Sequence, residues 1–196
     1  NGPQKVAHLS LKIVEQGAEA LFFMHSEGWI HRDIKPDNFL VSDQGVLKLI
    51  DFAISVRQKS GLAAMFSFGK KAVQGTRSYM SPEQIRNQNL DPRADIYSYG
   101  CVLFELLSGK APFTGVNPDE LLSKHLTGPI PSVQPYNDNV TPEFANLIKR
   151  MMAKRRDERP GTMWDFLKEF RSLRPYKVLP KPPKPEDIKD TRKGFV

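Results

Sequence analysis

His31, Arg32, Asp33, Lys35, Asp37 and Asn38 crowd six charged or hydrogen-bonding side chains into the eight residues HRDIKPDN, where only Ile34 and Pro36 are apolar. A solvated turn needs one or two such residues to satisfy its backbone, so six read as a site. A second acid, Asp51 in LIDFA (49–53), follows Asp33 by eighteen residues. Carboxylate and amide oxygens are hard donors that suit Mg²⁺, a carboxylate can take a proton from an alcohol, and a lysine supplies a mobile point charge.

Positioning these groups falls to the flanking elements. Residues 5–27 predict a helix, with Val6, Leu9, Ile13, Gly17, Ala20 and Met24 recurring at steps of three and four as one apolar stripe. Gly17 in that stripe allows another helix to approach closely. FLVS (39–42) and VLKLI (46–50) are β-prone runs joined by Asp43-Gln44-Gly45, which suits a hairpin whose last loop residue is left-handed. Residues 52–74 have no clear period and read as a long functional loop. Beyond it the chain turns helical. Helix starts are marked at Ser81-Pro82-Glu83-Gln84, Asn117-Pro118-Asp119-Glu120, Thr141-Pro142-Glu143 and, more weakly, Thr162-Met163-Trp164-Asp165. The helix from Thr141 is expected to run to about Lys154. Residues 95–108 form an apolar helix stopped by Gly109. After Leu173 the Pro- and Lys-rich VLPKPPKPED reads as an extended linker or tail.

Composition narrows the function. The 196 residues fit one domain. The single Cys101 precludes an internal disulfide and favours a reducing, cytoplasmic setting. The apolar run from Ile96 to Leu107 is too short and too interrupted to span a bilayer. The net charge of +7 is concentrated at the end, where residues 174–196 hold seven Lys/Arg against three Asp/Glu. No basic stripe with interleaved aromatics appears, so nucleic acid is not an expected partner. His25 and His125 read as structural, Cys101 as a small core residue, and Asp43 as a turn residue.

HRDIKPDN, LIDFA, GTRSYMSPEQ (75–84), DIYSYG (95–100) and ERP (158–160) occur in the order seen in protein kinases, and residues 5–173 resemble the C-terminal lobe of a bacterial Hanks-type serine/threonine kinase. The resemblance implies a mainly α fold: a helical bundle with a small β-hairpin at the catalytic loop, residues 1–173 being the lobe and 174–196 the tail. It implies ATP and Mg²⁺ as cofactors, with Mn²⁺ as a substitute ion, and proteins bearing Ser or Thr as substrates. Asp33 corresponds to the base that orients the substrate hydroxyl, and Asn38 and Asp51 to the metal ligands. Lys35 and Thr76 correspond to the residues that meet the γ-phosphate and Asp33, and Leu40 lies under the adenine. His31 and Phe52 would belong to the stack that aligns the lobes. Asp95 would hold the catalytic loop by backbone hydrogen bonds, and Glu83 and Arg159 would form a buried ion pair. Arg32 implies control by phosphate on the activation loop, with Ser60, Ser67 and Thr76 as acceptors.

Two departures from the family stand out. The chain has no G-x-G-x-x-G loop, and the N-terminal lobe with its lysine–glutamate pair is absent, so a fragment with weak ATP binding and little turnover alone is expected. Membrane contact would come through regions outside it. The family's Asp-Phe-Gly is Asp51-Phe52-Ala53 here, which predicts altered switching because alanine resists φ > 0. Two other readings are a pseudokinase scaffold and a small-molecule phosphotransferase of the aminoglycoside-kinase type. The intact Asp33, Lys35, Asn38 and Asp51 speak against the first. Lys35-Pro36 and the Gly75–Gln84 segment speak against the second.

Overall fold

The first helix lies close to where the apolar spacing puts it but is turned about its axis. A computed structural model describes residues 7–58 and 77–182 of the chain. In it a 3₁₀ turn, Ala7–Leu9, leads into α1, Ser10–Ser26. The buried face of α1 is Ser10, Val14, Gly17, Ala18, Leu21 and Met24. Of the expected stripe Gly17 and Met24 belong to it, Leu9, Ile13 and Ala20 are partly exposed, and Val6 lies outside the described residues. The neighbours on either side decide this, since apolar residues line more than one face of the helix and packing selects among them. Gly17 does serve close approach: a Cβ there would collide with the Tyr99 hydroxyl, which instead donates to the Val14 carbonyl at 2.8 Å.

Two short strands follow. β1, Trp29–Ile30, precedes the polar octapeptide and β2, Phe39–Val41, follows it. β2 pairs antiparallel with β3, Leu47–Leu49, in the register Phe39↔Leu49, Leu40↔Lys48 and Val41↔Leu47. Gly45 closes the turn at φ 72°, the left-handed conformation that its sequence position calls for. β4, Val56–Arg57, pairs with β1 through Trp29↔Arg57 and Ile30↔Val56. Two-residue strands carry no readable period, so this pairing has no sequence signal.

The remaining elements are helical: α2, Pro82–Ile85; α3, Arg93–Ser108; α4, Pro118–Thr127; α5, Pro142–Met151; and α6, Met163–Ser172. α3 is the axis of the lobe. It is buried from Ala94 through Phe104 and again at Leu107, as an all-round apolar helix must be. Gly109 ends it in the left-handed conformation, its N–H bonding Glu105 O at 2.8 Å. α3 packs against α5, and α1 against α6. Ser81 and Gln84 form a full capping box, as do Thr162 and Asp165, while Asn117 accepts from Glu120 N–H. Thr141 departs from the expected cap. Its hydroxyl donates to Arg174 O at 2.7 Å, and α5 ends at Met151 rather than near Lys154.

That bond belongs to a docking of the chain beyond α6. Tyr176 is 3% exposed, pairs with Val140 in an isolated bridge, and its hydroxyl meets Ser10 Oγ at 2.7 Å. Lys177 N–H bonds Asn139 O, and Asn139 Nδ2 bonds Val178 O. Composition alone reads 174–178 as extended tail, yet one tyrosine buries enough surface to hold it against the helices.

Candidate active site

The polar octapeptide is held from below by one carboxylate. Asp95, at the start of α3 and 1% exposed, accepts His31 N–H at 2.8 Å on Oδ2 and Arg32 N–H at 2.9 Å on Oδ1. His25 Nε2, from the last turn of α1, lies 2.9 Å from the same Oδ2. Between these anchors Arg32 takes φ 72°, a conformation that costs a non-glycine residue free energy unless its surroundings impose it.

The next link is an imidazole. His31 is fully buried, and its Nδ1 accepts the Asp33 backbone N–H at 3.3 Å. A neutral ring that accepts on Nδ1 carries its proton on Nε2, which therefore donates to Ile50 O at 3.1 Å. The octapeptide is thus tied to the end of β3. The Phe52 ring, 54% exposed, lies 5.3 Å from that of His31.

The reactive groups converge above this support. Lys35 Nζ donates to Asp33 Oδ2 at 2.7 Å. Asn38 Nδ2 donates to Asp33 O at 2.7 Å and approaches Asp33 Oδ2 at 3.5 Å. The Pro36–Asn38 3₁₀ turn brings Asn38 round, and Asn38 O accepts Ile50 N–H at 3.0 Å. That rung continues the hairpin by one residue and leaves Asp51 at its mouth. Asp51 has φ 63° and accepts Ala53 N–H at 3.3 Å on Oδ1. Lys35 is held above the ordinary lysine range, first by its hydrogen bond to Asp33 and then, against burial, by the charges of Asp33, Asp37 and Asp51. Asp33 thus pairs with the ammonium directly, while Asp37 and Asp51 act on it through their charge.

A divalent cation fits this donor set. No three His, Cys, Asp or Glu side chains converge to hold a metal among the described residues. The protein oxygens on offer are instead the Asn38 amide, whose nitrogen is already committed to Asp33, and the Asp51 carboxylate. Two hard oxygens in a negatively charged surrounding match Mg²⁺, which keeps several waters and takes its remaining ligands from phosphate.

The other sequence-derived residues separate into two groups. Glu83 and Arg159, 2% and 5% exposed, make a two-pronged ion pair at 2.7 and 3.0 Å. Arg159 also bonds the carbonyls of Ala153 and Arg93. This pair ties α2 to the turn after α5. Leu40 is 54% exposed on β2. Phe52, Phe23 and Trp29, all exposed, line an apolar cavity of about 860 Å³ beside the hairpin. Thr76, Ser60 and Ser67 lie outside the described residues. His25, read from sequence as merely structural, stands in the support of the site. Seventy residues separate it from Asp95, and no local spacing signals the contact.

The family model described as "Protein kinase domain" matches residues 5–169. The chain is 36% identical over 159 residues to serine/threonine-protein kinase PknB of Mycolicibacterium smegmatis, covering 78% of this chain and 24% of that protein. It is 38% identical over 141 residues to serine/threonine-protein kinase PknL of Mycobacterium tuberculosis, covering 72% of this chain and 34% of that one. Probable serine/threonine-protein kinase PknB of Bifidobacterium longum is 37% identical over 147 residues, 75% of this chain and 21% of that protein. The chain thus spans between a fifth and about a third of these relatives' lengths.

Proposed function

The chain belongs to the protein kinase family, and from that premise we propose that it carries the phosphoryl-transfer site of an ATP-dependent protein serine/threonine kinase. The observation that carries this reading is the convergence of Asp33, Lys35 and Asn38 within hydrogen-bond distance, with Asp51 at the mouth of the same hairpin.

The roles follow from the chemistry of each group. Asp33 accepts a hydrogen bond from a serine or threonine hydroxyl, which aims the oxygen at the γ-phosphorus. As the new P–O bond forms and the bond to ADP breaks, the hydroxyl proton passes to the Asp33 carboxylate. Lys35 holds that carboxylate in place before substrate arrives and offsets negative charge on the transferred group. Asn38 fixes the Asp33 main chain through its amide nitrogen. Asn38 and Asp51 are the residues that would hold Mg²⁺, which when bound neutralises phosphate oxygens. Leu40 presents the chain's contribution to the adenine side of the site, and Phe52, against the His31 ring, belongs to the stack that aligns the lobes.

No helix among the described residues is long and apolar enough to cross a membrane. A reaction that draws on ATP suits a cytoplasmic setting, and any contact with a membrane would come through regions outside these residues. Residues 1–196 contain no Gly-rich phosphate loop, so the assay belongs on the full natural protein. With Mg²⁺ and ATP it is expected to label a basic protein on Ser or Thr, and Asp33→Asn is expected to remove the label. Labelling that survives Asp33→Asn contradicts the assignment.

A further inference from the structure

Gln84 lies on α2, outside the octapeptide, yet its side chain reaches the residue before Asp33. It is 7% exposed. Its Oε1 accepts Ser81 N–H at 3.1 Å and the Ser81 hydroxyl at 3.0 Å, while its Nε2 donates to Arg32 O at 2.8 Å. The amide can point only this way, because a carbonyl oxygen accepts and a backbone N–H donates.

The bond to Arg32 O falls at a sensitive place. Arg32 is the strained residue at φ 72°, and its carbonyl belongs to the peptide unit that begins Asp33. The N–H of that unit is held by His31 Nδ1 at 3.3 Å, and the preceding Arg32 N–H by Asp95 Oδ1 at 2.9 Å. Side chains from the loop itself and from α3 hold the two N–H groups, and Gln84 links the carbonyl to the segment around Ser81. A peptide plane clamped at both N–H and C=O cannot rotate, and its orientation sets where the Asp33 side chain starts.

We propose that Gln84 is a positioning residue for Asp33: one carboxamide closes the cap of α2 and clamps the Arg32–Asp33 peptide, so that the Ser81 turn and the catalytic loop are set together. This rests on the phosphoryl-transfer reading above for its consequence, but not for its geometry. Ser81 follows directly on the Arg77–Tyr79 turn and Met80, so displacement of that turn is transmitted to Asp33 through one side chain.

Gln84→Glu separates the two duties. The introduced carboxylate still accepts from Ser81, so the cap survives, but it has no hydrogen to offer Arg32 O. A carboxyl buried against a carbonyl titrates above its usual value of about 4.3, and once protonated it donates as the amide did. Backbone hydrogen exchange on the full chain reads the outcome. At about pH 8 the Arg32 and Asp33 amides are expected to exchange about tenfold faster in Gln84→Glu than in the native chain, with α2 and the core unchanged. The difference is expected to close as pH falls toward about 5.5. Gln84→Met, which can neither donate nor accept and cannot be rescued by protons, is expected to open the loop at every pH and carries the test if the first variant does not fold. Native exchange at Arg32 and Asp33 in both variants overturns the proposal, as does a uniform increase across α2 and core, which is the signature of a lost cap only. In the transfer assay Gln84→Glu is expected to lower kcat with little change in the KM for protein substrate. Transfer that survives Asp33→Asn sinks the functional reading and leaves the exchange result to decide the role of Gln84.

Discussion

Arg32 and Asp51 both take left-handed backbone conformations, which cost on the order of 1–3 kcal/mol each and persist only where surrounding bonds impose them. Ala53 is not among the positive-φ residues, so alanine occupies its place in the Asp51-Phe52-Ala53 turn without strain. Ala53→Gly is expected to reduce stability by about 0.4–1 kcal/mol by freeing the unfolded chain, and to speed hydrogen exchange at residues 51–53. Unchanged exchange there would remove the argument that alanine stiffens the turn. The Glu83–Arg159 pair is the other residue-scale test. Glu83→Gln leaves a guanidinium that is fully buried without its counter-charge and is expected to cost about 3–5 kcal/mol in urea unfolding. At this scale much of the site is legible in the sequence, because Asp33, Lys35 and Asn38 lie within one octapeptide and find each other by local turn geometry. His25 and Gln84 are not legible, since their partners are 70 and 52 residues away.

Among the elements, capping chemistry is the most readable signal. Ser81, Asn117 and Thr162 each cap the helix that their sequence marks, because a cap is satisfied within three residues and needs no distant partner. The buried face of α1 is less readable: the stripe through Leu9, Ile13 and Ala20 is as periodic as the face that is buried, and contact with α3 and α6 chooses between them. Gly17 marks that choice. Gly17→Ala gains helix propensity of about 1 kcal/mol but drives a methyl into the Tyr99 hydroxyl, and overpacking of this kind costs about 1–3 kcal/mol. A net loss of thermal stability is expected, with partial recovery in the Gly17→Ala, Tyr99→Phe double variant, which deletes the colliding oxygen. A stabilised Gly17→Ala would show that α1 and α3 have slack at their crossing. The β1–β4 pair and the docking of 174–178 carry no periodic or capping signal and emerge only from tertiary contact.

Across the whole molecule, α4 is fastened to the core through His125. The ring is fully buried, its Nδ1 lies 3.0 Å from the Tyr97 hydroxyl, and it packs edge-on against Phe113. Burial, and then the Lys154 charge, lower its pKa from 6.5 to about 4; Lys154 itself is lowered to about 8, chiefly by burial. The unfolded chain therefore takes up a proton below pH 6.5 that the folded chain refuses. Stability from the neutral ring is complete above pH 6.5 and lost as pH falls toward about 4, to the extent of about 3 kcal/mol. His125→Gln is expected to be less stable at pH 7, with the gap narrowing through that window in urea melts at stepped pH; a constant gap would refute the assignment. The order of the motifs along the chain makes the lobe itself legible, whereas how its helices are fastened is not. The central claim is a division of labour at the hairpin mouth, with Asp33 serving the proton and Asn38 and Asp51 serving the metal. The most direct measurement is Mg²⁺-dependent ATP affinity together with turnover in Asp33→Asn and Asp51→Asn of the full natural protein. The account predicts that Asp33→Asn abolishes turnover while leaving affinity near native, and that Asp51→Asn loses the Mg²⁺-dependent part of binding. Equal loss of affinity in both variants, or turnover that survives Asp33→Asn, would contradict it.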